Sequence, residues 1–269
     1  MTRDPGPARG VLHADPSAGA FEHARIAPAP ELDAIVAHYW RVRWQLRGGL
    51  EQTRQTLPHP NVHLVITNGV ATVSGVHTAR FTTTLRGDGE VFGIKFRAGG
   101  VRATLGMPVS KLRDRTLPAR EVLGAWVDEL VAVLARSHED AERIAAINAV
   151  LLANTRAPSQ AGQRAGIILD AIAGDDTLLR VDDVLSRWPM QRRTLERLFD
   201  DEVGVSPKWV IQRYRLHEAL ARMTREAPVD WAQFAQDLGY FDQAHFIRDF
   251  RSQVGMTPSA YHRRLQRTD

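Results

Sequence analysis

Two groups of side chains in the last third of this chain have the types and the spacing to read nucleic-acid bases. Gln243, Ala244, Ile247, Arg248 and Arg251 fall opposite Phe246 and Phe250 on a helical wheel, so burying the two phenylalanines turns the five outward. Glutamine can bond adenine through two atoms, arginine can bond guanine through two, and alanine or isoleucine can meet a thymine methyl. Arg192, Arg193, Glu196 and Arg197 stand in the same relation to Leu195 and Phe199. Arg192 and Arg193 occupy a first helical turn, where free backbone N–H groups also favour phosphate, and Glu196 can accept from a cytosine amino group. A plainer reading stands beside this one. Exposed Arg and Gln are usually just solvated, and Arg197 and Arg248 could each pair with an acid on a neighbouring helix.

Repetition favours the first reading. Arg197-Leu198-Phe199-Asp200-Asp201-Glu202-Val203-Gly204-Val205-Ser206-Pro207 recurs as Arg248-Asp249-Phe250-Arg251-Ser252-Gln253-Val254-Gly255-Met256-Thr257-Pro258, each residue 51 positions on. Each copy reads as a helix with an apolar face, a glycine stop and a Ser/Thr-Pro start of the next helix. One helical module used twice suits a partner that itself repeats, and the grooves of duplex DNA return every helical turn.

The elements that must position these side chains are helices throughout the last third. Ile167, Ile168, Ala171 and Ile172 predict a first helix; Val181, Val184, Leu185 and Trp188 a second, entered through Asp182 or Asp183 and ended by Pro189; Leu195, Leu198 and Phe199 a third. Ser206 as N-cap with Pro207 opens a long fourth helix carrying Trp209, Leu216, Leu220 and Met223. Asp230 with Gln233 predicts a capping box for a fifth, with Phe234, Ala235 and Leu238 inward; Gly239 turns the chain, Asp242 caps a sixth, and Thr257-Pro258 opens the last. Asp230 to Phe250 thus has the outline of a helix-turn-helix.

The first half is mixed. His38 to Arg47 alternates as a half-buried strand with Trp40, Val42, Trp44 and Leu46 on one face. Val62–Thr67 and Val70–Val73 form a hairpin across Asn68-Gly69, and Phe81–Leu85 and Val91–Phe96 continue the β region. Helical patterns flank it: Leu32, Ile35, Val36 and Tyr39 before; Val122, Trp126, Leu130 and Val133, then Ile144, Ile147 and Leu151 after. A polar stretch with Pro158 and Gly162 separates the halves. The expected plan is an unstructured tail over 1–20, an α+β domain over 21–155 (a small curved sheet or barrel with flanking helices), a linker over 156–163, and an all-α domain with two helix-turn-helix subdomains over 164–269.

Chemistry in the α+β half is thinner. His59 and His63 are four apart, but in a strand that separates them by about 13 Å, too far to share an ion without a bend; with His77 they read as turn and strand histidines, so no metal or cofactor is assigned. Lys95 and Arg97 share a strand face and could hold an anionic effector, although the solvated side of an edge strand accounts for them better. Trp40 and Trp44 suit core packing more than a pocket. No arrangement supports catalysis.

Composition bounds the rest. The absence of cysteine excludes disulfides and thiolate chemistry. No run is apolar enough for a membrane span, and the start lacks a signal-peptide pattern, so a cytoplasmic location is expected. Residues 163–269 hold 16 Lys/Arg against 16 Asp/Glu, and the net +4 comes wholly from 1–162. Any attraction to phosphate must therefore come from a local patch.

Gly166 to Arg264 resembles the DNA-binding domain of AraC/XylS-type transcription regulators. The carrying motif is Gly239-Tyr240-Phe241-Asp242-Gln243-Ala244-His245-Phe246-Ile247-Arg248-Asp249-Phe250, followed by Gly255-Met256-Thr257-Pro258 and Tyr261-His262-Arg263-Arg264. The resemblance implies two helix-turn-helix subdomains joined by a long helix from Pro207 to about Arg225, with both recognition helices in successive major-groove segments. By position, Arg193, Glu196 and Arg197 would face bases in the first, and Gln243, Ala244, Ile247 and Arg248 in the second. The first copy departs from the pattern, with Trp188-Pro189-Met190 at the turn and an acidic helix end. Tyr39-Trp40, Leu57-Pro58-His59-Pro60, Gly93 to Arg97 and Leu105-Gly106-Met107-Pro108 resemble the region preceding this domain in a subset of such regulators, which implies effector sensing or self-association. Double-stranded DNA is the expected partner. A small-molecule effector and a second copy of the chain are candidates, as is RNA polymerase for an activator. The rival reading is a ligand-binding or protein-interaction molecule whose helical half does not bind DNA.

Overall fold

The computed structural model describes residues 10–12, 20–225 and 230–266. Its strands are β1 (Val11–Leu12), β2 (Ala20–Ile26), β3 (Val36–Gln45), β4 (Glu51–Thr56), β5 (His63–Thr67), β6 (Val70–Ser74), β7 (Phe81–Arg86), β8 (Asp88–Phe96) and β9 (Thr116–Pro118). They form two open antiparallel sheets, β1-β4-β7 and β2-β3-β8-β5-β6-β9. β3 pairs with β8 and β4 with β7, so the shorter sheet continues the longer one beyond a bend at Leu46–Leu50 and Gly87. Asn68 and Gly69 both take positive φ (49° and 75°), as a tight two-residue hairpin between β5 and β6 requires.

Short helices α1 (Arg102–Leu105) and α2 (Ala119–Leu123) lead to α3 (Val127–Arg136) and α4 (Asp140–Asn154), which cover one face of the six-stranded sheet. Leu64, Ile66, Phe92, Ile94 and Phe96 meet Leu130, Leu134, Ile147 and Leu151 there. The core face of β3 differs from the expected one. Tyr39 is fully buried on it, and Tyr39 Oη donates to Asn148 Oδ1 at 2.7 Å. The buried Arg41 pairs with Asp140 at 2.5 Å and with Glu22, and the buried Arg143 pairs with Glu90 at 2.7 Å. Trp40, Val42 and Trp44 occupy the opposite face and are half-buried there, so alternation alone does not choose between the two faces. The helix expected around Leu32 to Tyr39 is a single 3₁₀ turn, Pro30–Leu32, that feeds β3 directly; β-branched Ile35 and Val36 and the following aromatic residues favour the strand.

Two further corrections concern the β region. β8 is central in its sheet, so Lys95 is not on an edge, and it is half-buried; Arg97 lies just beyond the strand and pairs with Asp33 at 2.8 Å. Gly10 to Leu12 belong to the fold: β1 pairs with β4, and Leu12 is buried. The remainder of the tail expected over 1–20 lies outside the described residues, apart from Ala20, which begins β2.

The helical part comprises α5 (Gln160–Gly174), α6 (Val181–Arg187), α7 (Arg192–Glu202), α8 (Pro207–Arg225), α9 (Trp231–Asp237), α10 (Gln243–Val254) and α11 (Pro258–Leu265). The connection before α5 is 155–159, shorter than the expected linker. α5 buries Ala165, Ile168, Leu169 and Ile172 but leaves Ile167 61% exposed, one position off the expected face. The N-terminal half of α8 shares a core with α5, α6 and α7, and its C-terminal half shares another with α9, α10 and α11. One helix about 28 Å long is therefore the common spine of both modules.

Candidate nucleic-acid interface

α7 and α10 are each held by a pair of buried side chains and closed by a glycine. Leu195 and Phe199 of α7 are fully buried, as are Phe246 and Phe250 of α10. Gly204 (φ 93°) and Gly255 (φ 89°) close the two helices in the left-handed conformation that a side chain would strain. The repeat seen in the chain is thus a repeat of packing and of caps.

The second module is entered as its local chemistry dictates. Asp230 Oδ1 accepts from the backbone N–H of Ala232 at 2.8 Å and of Gln233 at 3.3 Å. Gln233 does not complete a capping box: its amide donates to Asp237 instead, at 2.8 Å. Gly239 (φ 71°) makes the turn, and Asp242 caps α10, accepting from His245 N at 2.6 Å. Tyr240 Oη donates to Asp249 at 2.7 Å, and burial with that carboxylate beside it pushes the phenol well above its ordinary range. Gln243, Ala244, Arg248 and Arg251 are exposed, and Ile247 is half-buried between them and the core.

The first module differs at both ends. Neither Asp182 nor Asp183 is the N-cap of α6; Asp183 lies in the first turn and accepts from Arg180 N at 2.6 Å. Arg192, Arg193, Glu196 and Arg197 are exposed on α7, but Arg192 is tied to Asp182 at 2.5 Å. Arg193, Glu196 and Arg197 line a cleft of about 590 Å³ with Asp200, Trp209 and two groups from the first half, Thr78 and Arg113. Arg113 donates to Asp200 at 3.0 Å and to Gly204 O at 2.7 Å, and Ser110 donates to Asp200 at 2.7 Å. Glu202 is 4% exposed, and burial raises its pKa although Arg102 opposes this at 3.6 Å.

Both modules also meet the first half near α8. Arg213, 2% exposed, donates to Thr78 O at 2.6 Å and to Gln253 at 3.0 Å, and lies 4.5 Å over the Trp209 ring. Burial holds its guanidinium down to about 10. Arg80 donates to Val254 O, Leu12 and Leu57 enter the second module's core, and His59 stacks on His217 with ring centroids 4.0 Å apart. The histidines His59, His63 and His77 are not gathered: among the described residues no group of three metal-ligating side chains converges.

Arg197 and Arg248 do not pair internally: among the described residues Arg193, Arg197, Arg248 and Arg251 form no ion pair. Two neighbours of these faces were not legible beforehand. Arg113 joins the first from 87 positions away in the chain, which no local spacing signals. Phe241, 90% exposed immediately before the Asp242 cap, was seen only as part of a motif.

Two glycine-closed helices with unpaired arginines outward, set on one spine, define a two-module helix-turn-helix protein. Residues 186–264 match a family described as a helix-turn-helix domain, and residues 24–118 match one described as a domain of unknown function, DUF6597. The chain therefore carries a helix-turn-helix domain. Solved structures similar to it include apo ToxT from Vibrio cholerae strain SCE256, a single-residue variant (11% identity, TM-score 0.39, covering 94% of this chain and 100% of that one), and ToxT from Vibrio cholerae O395 (13% identity, TM-score 0.37, covering 92% and 98%). A third is wild-type ToxT from strain SCE256 bound to unsaturated fatty acid (11% identity, TM-score 0.36, covering 91% and 95%). A search of curated proteins found no match. No helix among the described residues is long and apolar enough to cross a membrane.

Proposed function

We propose that the chain is a sequence-specific regulator whose two recognition helices read adjacent major-groove segments of one duplex. In the second, Arg248 and Gln243 make the bidentate base contacts, Ala244 and Ile247 meet thymine methyls, and Arg251 holds phosphate. In the first, Arg193, Glu196 and Arg197 face bases, and Arg192 reaches phosphate on leaving Asp182. The observation that carries this reading is the placement of four arginines without ionic partners, two on each outward face, on helices fixed from behind by the buried Leu195, Phe199, Phe246 and Phe250. An unpaired guanidinium on a rigid helix is what direct readout requires. The α+β domain over about 21–155 serves sensing or self-association and transmits its state through the contacts on Asp200, Glu202 and Val254.

The test is duplex binding by the full chain as salt rises. Phosphate neutralisation predicts a linear fall of log affinity with log salt, with a slope of about −0.9 per phosphate contact. Substituting Arg251 with Ala should reduce that slope by about one and leave sequence preference unchanged. A helical half that only grips another protein gives no such slope.

A further inference from the structure

The face of the six-stranded sheet turned away from α3 and α4 carries His23 and Arg25 from β2, His38 from β3, Lys95 from β8 and His63 from β5. Among the described residues no Asp or Glu shares that face; Glu22, Asp88 and Glu90 alternate onto the other side. His38, Lys95 and His63 form a single row, because Lys95 is the register partner of both histidines. Neighbouring strands about 4.8 Å apart bring the three side chains to one spot.

Their bonds set what they can offer. Lys95 makes no hydrogen bond or ion pair with any described residue. Trp40 Nε1 donates to His63 Nδ1 at 3.2 Å, so the neutral ring carries its proton on Nε2 and presents it as a donor. Arg25 lies against His38, donating to Nε2 at 3.2 Å. Burial, with Arg25 as the lesser cause, holds Lys95 down to about 8, and burial with the Lys95 charge beside them holds His63 to about 3 and His38 to about 2. An arriving anion would relieve that repulsion, and packing gains nothing from an unpaired ammonium.

Beside the row lies an apolar floor. A Cβ on Gly93 would stand 2.0 Å from the Trp40 indole, and one on Gly89 would stand 2.3 Å from the Trp44 indole. Both rings therefore lie flat on β8, at the only residue type that permits it, with Val42, Val65 and Val91 between them. The shorter sheet bends across this face: Arg54 of β4 sits 4.1 Å over the Phe21 ring, and Trp44 Nε1 donates to Arg86 O at 3.2 Å.

We infer that this face binds an organic carboxylate with a flat or extended apolar body, the carboxylate held by Lys95 and His63 and the body laid on Trp40 and Trp44. The inference deepens the reading of the α+β domain as a sensor by naming the ligand class and the residues. The charge complementarity selects an anion, and the indole floor selects an organic one over a bare inorganic ion.

The full chain, without DNA, is titrated at pH 7 with phenylacetate, decanoate, neutral phenylacetamide and inorganic phosphate, with tryptophan fluorescence and Tm as readouts. At least one carboxylate should give a saturable response and raise Tm, phenylacetamide should bind at least tenfold more weakly, and Lys95→Met should lose at least tenfold in carboxylate affinity while remaining folded. His63→Leu should show the same loss, and decides the matter if Lys95→Met does not fold. No saturable response to either carboxylate, an undiminished response in the variants, or a response to phosphate alone overturns the assignment. Because DNA is absent, such a failure leaves the reading of α7 and α10 intact, and a chain that bound carboxylate but not DNA would sink only that reading.

Discussion

The two helix-turn-helix modules share one packing scheme and differ in what surrounds them. α10 is capped by Asp242, entered through a glycine turn, and bonded to the α+β domain near its far end, where Arg80 reaches Val254 O. α7 has no side-chain cap, is entered through Trp188-Pro189, and ends in Asp200, Asp201 and Glu202. Those acids would repel phosphate, yet Ser110, Arg113 and Arg102 bind two of them, so they serve as the dock between domains. Under the proposed function, the second module is the one placed to read and the first the one placed to be positioned. A ligand-dependent change in the α+β domain would therefore be felt first at α7.

The strongest way to break this comparison is through the matched cores. Phe199→Ala and Phe250→Ala each remove a fully buried ring and should each cost about 3–5 kcal/mol in denaturant unfolding. A markedly smaller cost at Phe199 would mean that the modules are not equivalent even as folds.

Acid should have an effect of comparable size. Burial lowers the folded-state pKa of His38 to about 2 and His63 to about 3, below the ordinary 6.5. The unfolded chain binds more protons below that value, so stability is fully present above pH 6.5 and falls as pH drops toward 3, by at most about 1.4 kcal/mol per pH unit for each histidine. Chemical denaturation from pH 7 to pH 4 checks this, and replacing both histidines with Gln should flatten the slope. A slope unchanged by that replacement would place the sensitivity elsewhere.

At the faces themselves, Arg248→Ala should cost about 1–3 kcal/mol of discrimination between the preferred duplex and its variants. Arg197→Ala should cost less, because α7 ends in acids. Equal losses would erase the functional half of the contrast. The smallest effect is at the dock: Asp200→Asn breaks an exposed pair with Arg113 and should cost roughly 0.2–1 kcal/mol in stability, while raising non-specific DNA affinity by removing a negative charge near the groove.

Most of the helical half was legible because its determinants are local. Ser206, Asp230, Asp242 and Thr257 each bond a backbone N–H two or three residues on, so the caps could be read from short strings. The α+β half was less so. The alternation over 38–47 identifies a strand, but with helices on one side and the bent sheet on the other it could not say that Tyr39 and Arg41 face the core. Lys95 could not be placed on a central strand without knowing that β8 lies between β3 and β5. The dock joins Arg113 to Asp200 across the domain boundary, and Leu12 packs under α8 from a stretch whose composition suggests a tail. Such contacts depend on topology, which no window of a few residues contains.

Selection of bound duplexes from a random DNA pool by the full chain tests the central claim most directly. Two conserved half-motifs whose centres lie about 10 bp apart, on one side of the duplex, are the predicted result. Recovery of one short motif, or of none, would contradict the claim that both outward faces read a single stretch of DNA.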